Sequence, residues 1–476
     1  EQAIDSYRRA LKLEPTNHNA RLNLAQVLIN KRRTEEAEQL LQSAGLPNDL
    51  ESVKFFLEGR IEELRLNYNE AKLRYTKATE LNPGFAMAYQ AIGVILTKQN
   101  ASLAAINAFN TAIYYDQRCV EALIGVGNSY ELIGLYDEAI NKYHEALKLS
   151  ETSEVYCSLA KCHKVIGEPS IAIQLCNKSL ELDAKHPPTL LMMGDLHKNE
   201  NDTNRSISFY SKIDDDTLQY ITEYKEALSR LVEIYSRTGP QDLLEECLER
   251  SALKSVCNPL IGNAVDRANK TFALRISNPF CVNAIHKVMH LDILDELDFA
   301  KEVKEPIHSL INAGKSKNRP QGLLANGDQT AGNIFRSGVD GMRELERMLR
   351  GYCEEYRRQY LGLDDGIARY WPEKYGINGW LINMKSGGVL KPHIHETGWV
   401  SGSLYIEVPD DVPVHEANIV FSEFELDDDT GRETHRSVRV KAGSLCLFPS
   451  SLTHYTTAFQ SDKRRLLIAF DLEPLH

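Results

Sequence analysis

The sequence predicts two structural units: an all-α solenoid of helical repeats, followed by a mainly-β jelly-roll domain with flanking helices. Three observations predict it. Small and bulky residues recur with a period of 34 through the first 150 positions, that period is gone by residue 272, and eight short β-branched or aromatic runs then alternate with Gly, Pro and Asp clusters. At 476 residues the chain exceeds what one hydrophobic core organises, which agrees with more than one unit. The expected boundaries are 1–255 for the solenoid, 256–275 for a junction and 276–476 for the jelly-roll domain.

The helical half comes first. Ala3, Ala37, Ala71, Ala105 and Ala139 share one phase of the 34-residue period, and Ala10, Ala44, Ala78, Ala112 and Ala146 share another. Between them run Tyr7, Leu41, Tyr75, Phe109 and Tyr143, while Ala25, Gly59, Gly93 and Gly127 mark a second helix. Small residues let two helices approach closely and the large ones fill the space to the next hairpin, so neighbouring pairs stack through shared apolar faces. Segments such as LIGVGNSYELIGLYDEAINKYHEALKLS (123–150), with Pro15 and Pro83 at the turns, resemble the tetratricopeptide repeat. After Ser150 the phase slips by one, with Ala160 and Ala172 in place of 161 and 173, and a degraded array continues to about residue 255. The histidines here (18, 144, 163, 186, 197) have no ligand spacing, so packing accounts for this half. Its expected role is a concave groove that holds a protein or peptide partner.

Composition narrows the function classes. A net charge of −12 disfavours a nucleic-acid binder that relies on phosphate neutralisation, and no apolar stretch is long enough for a membrane span. Nine cysteines form no CxxC pair and no compact disulfide framework, which favours a reducing, intracellular and cytoplasmic setting. The chain opens at Glu1 rather than Met, as a processed product or a piece of a longer chain does.

In the second half, Asn283–Asn312 and Met342–Tyr360 have apolar positions at helical spacing, and the Gly-rich stretch 319–338 between them reads as an ordered loop. Strands are expected at 379–385, 388–395, 401–409, 417–424, 436–442, 444–450, 453–459 and 464–472, a number that suits a double-sheet jelly roll.

The chemistry lies among those strands. A lone strand histidine is ordinarily a satisfied polar residue, but residues i and i+2 of a strand share a face, so PHIH aims His393 and His395 the same way. His454 follows a strand and tight turn that can carry it across the barrel, and three convergent histidines point to a metal. Trp399 reads as a wall, Tyr405 as core or contact, His415 and His435 as exposed, and the acidic run Asp427–Asp429 as a solvated turn.

The segments KPHIHETGWVSGSLYIEVP (391–409), GSLCLFPSSLTH (443–454) and RRLLIAF (464–470), with QGLLANGDQTAGNIF (321–335) ahead of them, resemble the Fe(II)/2-oxoglutarate-dependent oxygenases, whose fold is the double-stranded β-helix. The resemblance covers the last 160 to 200 residues. It implies a dioxygenase, most simply a hydroxylase, that uses Fe(II), 2-oxoglutarate as cosubstrate and O2, with His393, His395 and His454 as metal ligands. Arg465 would pair with the distal carboxylate of 2-oxoglutarate, a geometry that a guanidinium suits. Tyr405 is a second donor to that carboxylate, and Ser403 and Asn383 are further candidates from inward strand positions. The chain departs from the family where His395 replaces the usual HxD carboxylate and where Leu467 replaces a small polar residue. Glu396, next along the strand, should point away from the metal. A non-enzymatic adaptor with a degenerate jelly roll and a three-histidine cupin-type dioxygenase are the alternatives.

Overall fold

The computed structural model describes residues 1–475 apart from 43–46, 100, 215–220, 254–255, 297, 315–317, 320–321, 361–365 and 424–434. The chain divides into two compact units, Glu1–Leu132 with Tyr136–Glu151, and Ile133–Leu135 with Thr152–His476. The division falls at the phase slip after Ser150.

The first unit is a stack of helical hairpins: His18–Asn30 with Thr34–Gln42, Asn48–Leu64 with Tyr68–Leu81, Ala86–Lys98 with Ser102–Tyr115, and Val120–Leu132 with Tyr136–Leu147. The periodic residues explain the packing. A Cβ added to Gly59, Gly93 or Gly127 would lie 2.6, 2.6 or 2.5 Å from the ring of Tyr75, Phe109 or Tyr143 respectively, so each glycine is the socket for one aromatic ring. Ala37, Ala71, Ala105 and Ala139 are fully buried, as are Ala78, Ala112 and Ala146, whereas Ala3 on the first helix is exposed. The tyrosine hydroxyls find partners at the rim, Tyr75 donating to Glu63 at 2.9 Å and Tyr143 to Glu131 at 2.6 Å. Because the Tyr143 socket has no slack, Gly127→Val is expected to destabilise the unit by roughly 1–3 kcal/mol through overpacking. Its urea-unfolding midpoint should fall clearly below that of the parent chain. An unchanged midpoint would mean that the socket yields.

In the second unit the repeat pattern persists in Ser153–Val165 with Pro169–Leu182, Pro187–Asn199 with Thr203–Tyr210, and Ile221–Thr238 with Gln241–Leu253. Ala160 and Ala172 are fully buried, and Gly194 is the socket for Tyr210. The stretch 256–275, expected as a junction, carries one more helix, Pro259–Thr271, which packs on Ile221–Thr238. Among the described residues, no helix is long and apolar enough to cross a membrane.

The strand-rich part is antiparallel throughout. Its strands are β1 (Met289–Asp292), β2 (Asn318–Arg319), β3 (Leu324–Thr330), β4 (Tyr375–Leu390), β5 (Val400–Glu407), β6 (Ile419–Ser422), β7 (His435–Val438), β8 (Ser444–Pro449), β9 (Thr453–Thr456) and β10 (Arg465–Pro474). One sheet has the order β1-β8-β5-β10-β4-β3-β2 and the other β7-β6-β9, a jelly-roll arrangement of large and small sheets. The inward faces share one apolar core with the flanking helix Met342–Gln359, found where its helical spacing predicts it.

Three local expectations need correction. The runs 379–385 and 388–395 are one strand, β4, which continues through Gly387 at φ +74° and stops at Leu390. PHIH therefore lies beyond the strand, because Pro392 has no N–H to give to a ladder. Asn283–Asn312 is not one helix: it holds a 3₁₀ turn at Ala284–Lys287, strand β1, and helix only from Ala300 onward. Pairing of β1 with β8, from Met289↔Leu447 to Asp292↔Ser444, overrides the local helical spacing. The expected loop 319–338 contains β3, paired to β4 and kinked by a register shift between Ala325 and Gly327. Residues 320–321 and the acidic run Asp427–Asp429 lie outside the described residues.

Candidate metal centre

Backbone pairing brings the three histidines together although two of them lie outside regular strands. The N–H of His393 donates to the carbonyl of His454 at 3.1 Å, and the N–H of His454 donates back to His393 at 2.9 Å. The N–H of His395 donates to the Ser450 carbonyl at 3.1 Å, so the alternation expected of a strand survives past its end. The rings converge: potential ligand atoms of His393, His395 and His454 lie within 4.8 Å of one another.

Each ring is held by its Nδ1. His393 donates from Nδ1 to the Lys391 carbonyl at 2.8 Å, His454 to the Leu452 carbonyl at 3.1 Å, and His395 to the Asp471 carboxylate at 2.5 Å. These oxygens only accept, so each neutral imidazole carries its proton on Nδ1 and leaves Nε2 as a bare lone pair. The Nε2 atoms of His393 and His395 face each other at 3.2 Å. Two nitrogens bound to one ion at about 2.1 Å and at a right angle stand about 3 Å apart, so the spacing suits a shared cation. Burial, reinforced by the neighbouring imidazoles, holds His454 well below the usual histidine range and brings His393 down to about 4. Both are therefore neutral, ligand-ready groups at neutral pH.

Asp471 is the residue that the sequence reading missed. It is buried on β10, opposite Ser401 of β5, and accepts from the Ser401 hydroxyl at 2.7 Å. Ser401 in turn lies 2.8 Å from the Ser450 hydroxyl. The carboxylate absent from position 395 has a counterpart in Asp471, which is hydrogen-bonded to the His395 ring. A signal was available: Arg465, Leu467, Ala469 and Asp471 alternate along the last expected strand and share a face.

Arg465 opens that face. Its side chain is fully buried, Nη2 donates to the Tyr405 hydroxyl at 3.2 Å, and the guanidinium lies 5.1 Å from the centre of the Tyr405 ring. Its Nε and Nη1 have no hydrogen-bond partner among the described residues. A buried guanidinium with two donors open can accept an anion, and a carboxylate offers two oxygens in matching geometry. This is the fit expected for the distal carboxylate of 2-oxoglutarate. Burial pushes the Tyr405 hydroxyl above its ordinary range, so it stays a proton donor.

A cavity of about 240 Å³ is lined by all three histidines together with Tyr405, Ser403 and Asp471, and Arg465 meets it through Tyr405 rather than lining it. Trp380, whose ring centre lies 5.5 Å from that of His395, and Leu467 add apolar wall. Asn383 is not brought to this cavity: Trp380, Ile382 and Met384 of β4 line it, and Asn383 alternates to the other face. Trp399 is buried elsewhere, donating from Nε1 to the Ile367 carbonyl at 3.0 Å. Glu396 does point away from the histidines, pairing with Arg230. His415 and His435 are exposed.

The strand-rich part matches a family model described as "Putative 2OG-Fe(II) oxygenase" over residues 378–471, and two tetratricopeptide-repeat models match residues 1–52 and 122–154. Among curated proteins, BBSome complex member BBS4 of Mus musculus is 27% identical over 131 residues, 27% of this chain and 24% of that protein. Tetratricopeptide repeat protein 7A of Homo sapiens is 27% identical over 135 residues, 28% of this chain and 16% of its own length. The chain thus spans a quarter or less of either relative. The type IV pilus assembly protein PilF of Pseudomonas aeruginosa is 27% identical over 149 residues, 31% of this chain and 59% of that protein. The solved PilF structure aligns with TM-score 0.38 at 22% identity, covering 43% of this chain and 93% of that one. YrrB, described as a TPR protein with an unusual peptide-binding site, aligns with TM-score 0.30 at 19% identity, covering 42% and 98%.

Proposed function

We propose, from the premise that this chain joins tetratricopeptide repeats to a domain of the 2OG-Fe(II) oxygenase kind, that it is an Fe(II)- and 2-oxoglutarate-dependent hydroxylase acting on a protein or peptide. The observation that carries the reading is the pairing of three inward Nε2 lone pairs with a buried, half-satisfied guanidinium in the same barrel. Fe(II) bound with 2-oxoglutarate and O2 would supply the oxidising chemistry, releasing succinate and carbon dioxide as one oxygen atom enters the substrate.

The chain's own residues have separable tasks. His393, His395 and His454 would hold the iron through Nε2, each fixed in tautomer and orientation by its Nδ1 bond. Asp471 places negative charge next to a site whose three ligands are neutral. Arg465 and Tyr405 would anchor the cosubstrate's distal carboxylate, with Ser403 on the same wall. Trp380 and Leu467 give the cavity apolar wall, and a bound substrate closing over it would exclude water and strengthen the charge interactions inside. The repeats support a role in protein association, and a substrate segment held in their groove is the extension of that role proposed here.

Arg465 argues against the alternatives. An adaptor gains nothing from burying a guanidinium with two unsatisfied donors in the same barrel as three convergent imidazoles, an arrangement that costs stability. A cupin-type site with three histidines alone has no anion for Arg465 to meet. Protein purified without oxygen is expected to take up one Fe(II) per chain and, on aeration with 2-oxoglutarate, to form succinate slowly even without substrate. Failure to bind Fe(II) would leave the adaptor, and iron uptake without 2-oxoglutarate binding would leave the cupin type.

A further inference from the structure

We infer that Arg230 and Asn263, on two helices of the repeat type, are positioning residues of the metal centre, each holding one of the two histidine-bearing segments. The inference rests on the reading of His393, His395 and His454 as metal ligands. Arg230 lies on Ile221–Thr238, its side chain 9% exposed, and pairs with Glu396, the neighbour of His395. Asn263 lies on Pro259–Thr271, is buried, and donates from Nδ2 to the Ser451 carbonyl at 3.0 Å and the Thr453 hydroxyl at 3.3 Å, both next to the turn that delivers His454. Neither residue lines the cavity.

The need for such anchors follows from the fold. β4 ends at Leu390, so His393 and His395 sit on backbone secured by an isolated bridge to His454 and one bond to Ser450 rather than by a ladder. Chain with few ladder bonds opens locally at low cost, yet a three-nitrogen site must be held to a fraction of an ångström. The anchors are themselves held rigidly. Arg230 Nε stands 3.3 Å from Asp195, which also receives Lys164 at 3.2 Å and the Tyr210 hydroxyl at 2.8 Å. Lys198, paired with Glu233, stands 4.0 Å from Glu396. Asn263 Oδ1 accepts from Arg267 at 3.0 Å. The first helices of three successive hairpins (Ser153–Val165, Pro187–Asn199 and Ile221–Thr238) thus end their polar ladder on the residue beside His395, and Pro259–Thr271, which packs on the last of them, grips the other segment.

The test is anaerobic titration of the full chain with Co(II), read by its ligand-field absorption, with melting of the metal-free protein measured in parallel. Arg230→Met and Asn263→Ala should each weaken Co(II) binding about tenfold or more, within the range known for outer-shell partners. Because the two act on separate segments, the double variant should show the product of the single losses. Arg230→Lys, which keeps the charge, should recover most of the affinity, a rescue that simple loss of packing does not give. If Arg230→Met does not fold, Glu396→Gln interrogates the same pair from its exposed side and should show the loss. Parent-like Co(II) affinity in folded Asn263→Ala and Glu396→Gln would overturn the inference while leaving the enzyme reading intact. A parent chain that binds no Co(II) or Fe(II) would overturn both.

Discussion

Replacing Arg465 with methionine is expected to weaken 2-oxoglutarate binding about thirtyfold or more while Fe(II) still titrates in as it does with the parent chain. The size follows from removing one partner of a buried charge pair, which costs about 2–5 kcal/mol, and each 1.4 kcal/mol is a factor of about ten. A second effect of opposite sign should accompany it. In the chain without cosubstrate Arg465 is fully buried with Nε and Nη1 unsatisfied, so its removal relieves a desolvation cost. Methionine is close in length and apolar, and the metal-free, cosubstrate-free variant should melt at the same temperature as the parent or higher. Gain of stability with loss of ligand binding is the signature of a residue kept for function. Isothermal titration and thermal melting measure the two halves. A variant that melts several degrees lower and still binds 2-oxoglutarate would assign Arg465 to the fold alone.

Replacing Asp471 with alanine is expected to lower Fe(II) affinity by about 10–100-fold, the range for carboxylates that orient a metal-bound histidine. Two losses combine. His395 loses the acceptor that keeps its proton on Nδ1, so the wrong tautomer, with Nε2 protonated, becomes accessible. The site also loses its nearest negative charge, which matters more here than in a two-histidine, one-carboxylate centre because all three proposed ligands are neutral. Asp471→Asn separates these losses: its side-chain oxygen can still accept from Nδ1 while the charge is gone, so its Fe(II) affinity should fall between parent and alanine. The Ser401 hydroxyl, which donates to Asp471 at 2.7 Å, keeps an acceptor at position 471 only in the asparagine variant. Equal Fe(II) affinity in all three proteins would remove Asp471 from the metal site.

Much of this architecture was legible in the chain because it is written in short-range pattern. Gly59, Gly93 and Gly127 recur at 34 residues, and so do the rings that fill them, since each socket and its ring belong to one hairpin. The histidine pair, the later histidine and the following arginine were legible for a similar reason: strand alternation and a tight turn fix their relative aim. Reading failed where partners came from afar. Asn283–Asn312 has helical spacing, yet β1 forms there because β8, some 150 residues on, offers it a ladder. Asn383 was expected inward, but the face of β4 that lines the cavity is set by its pairing with β3 and β10.

The sequence by itself determined that this protein has stacked helical hairpins, a strand-rich barrel, and three histidines with an arginine at spacings that allow convergence. Each of those is written in patterns among residues close along the chain. Only the tertiary structure decided which carboxylate meets His395 and which residues pair with the histidine-bearing segments. Asp471 meets His395 across 76 positions and Arg230 meets Glu396 across 166. No local period encodes such distances. They depend on the β5–β10 register that sets Asp471 opposite Ser401, and on repeat-type helices packing with the barrel in one compact unit. Buried charges find their partners only once the chain has closed around them, so the pairings of Asp471 and Arg230 belong to the tertiary structure.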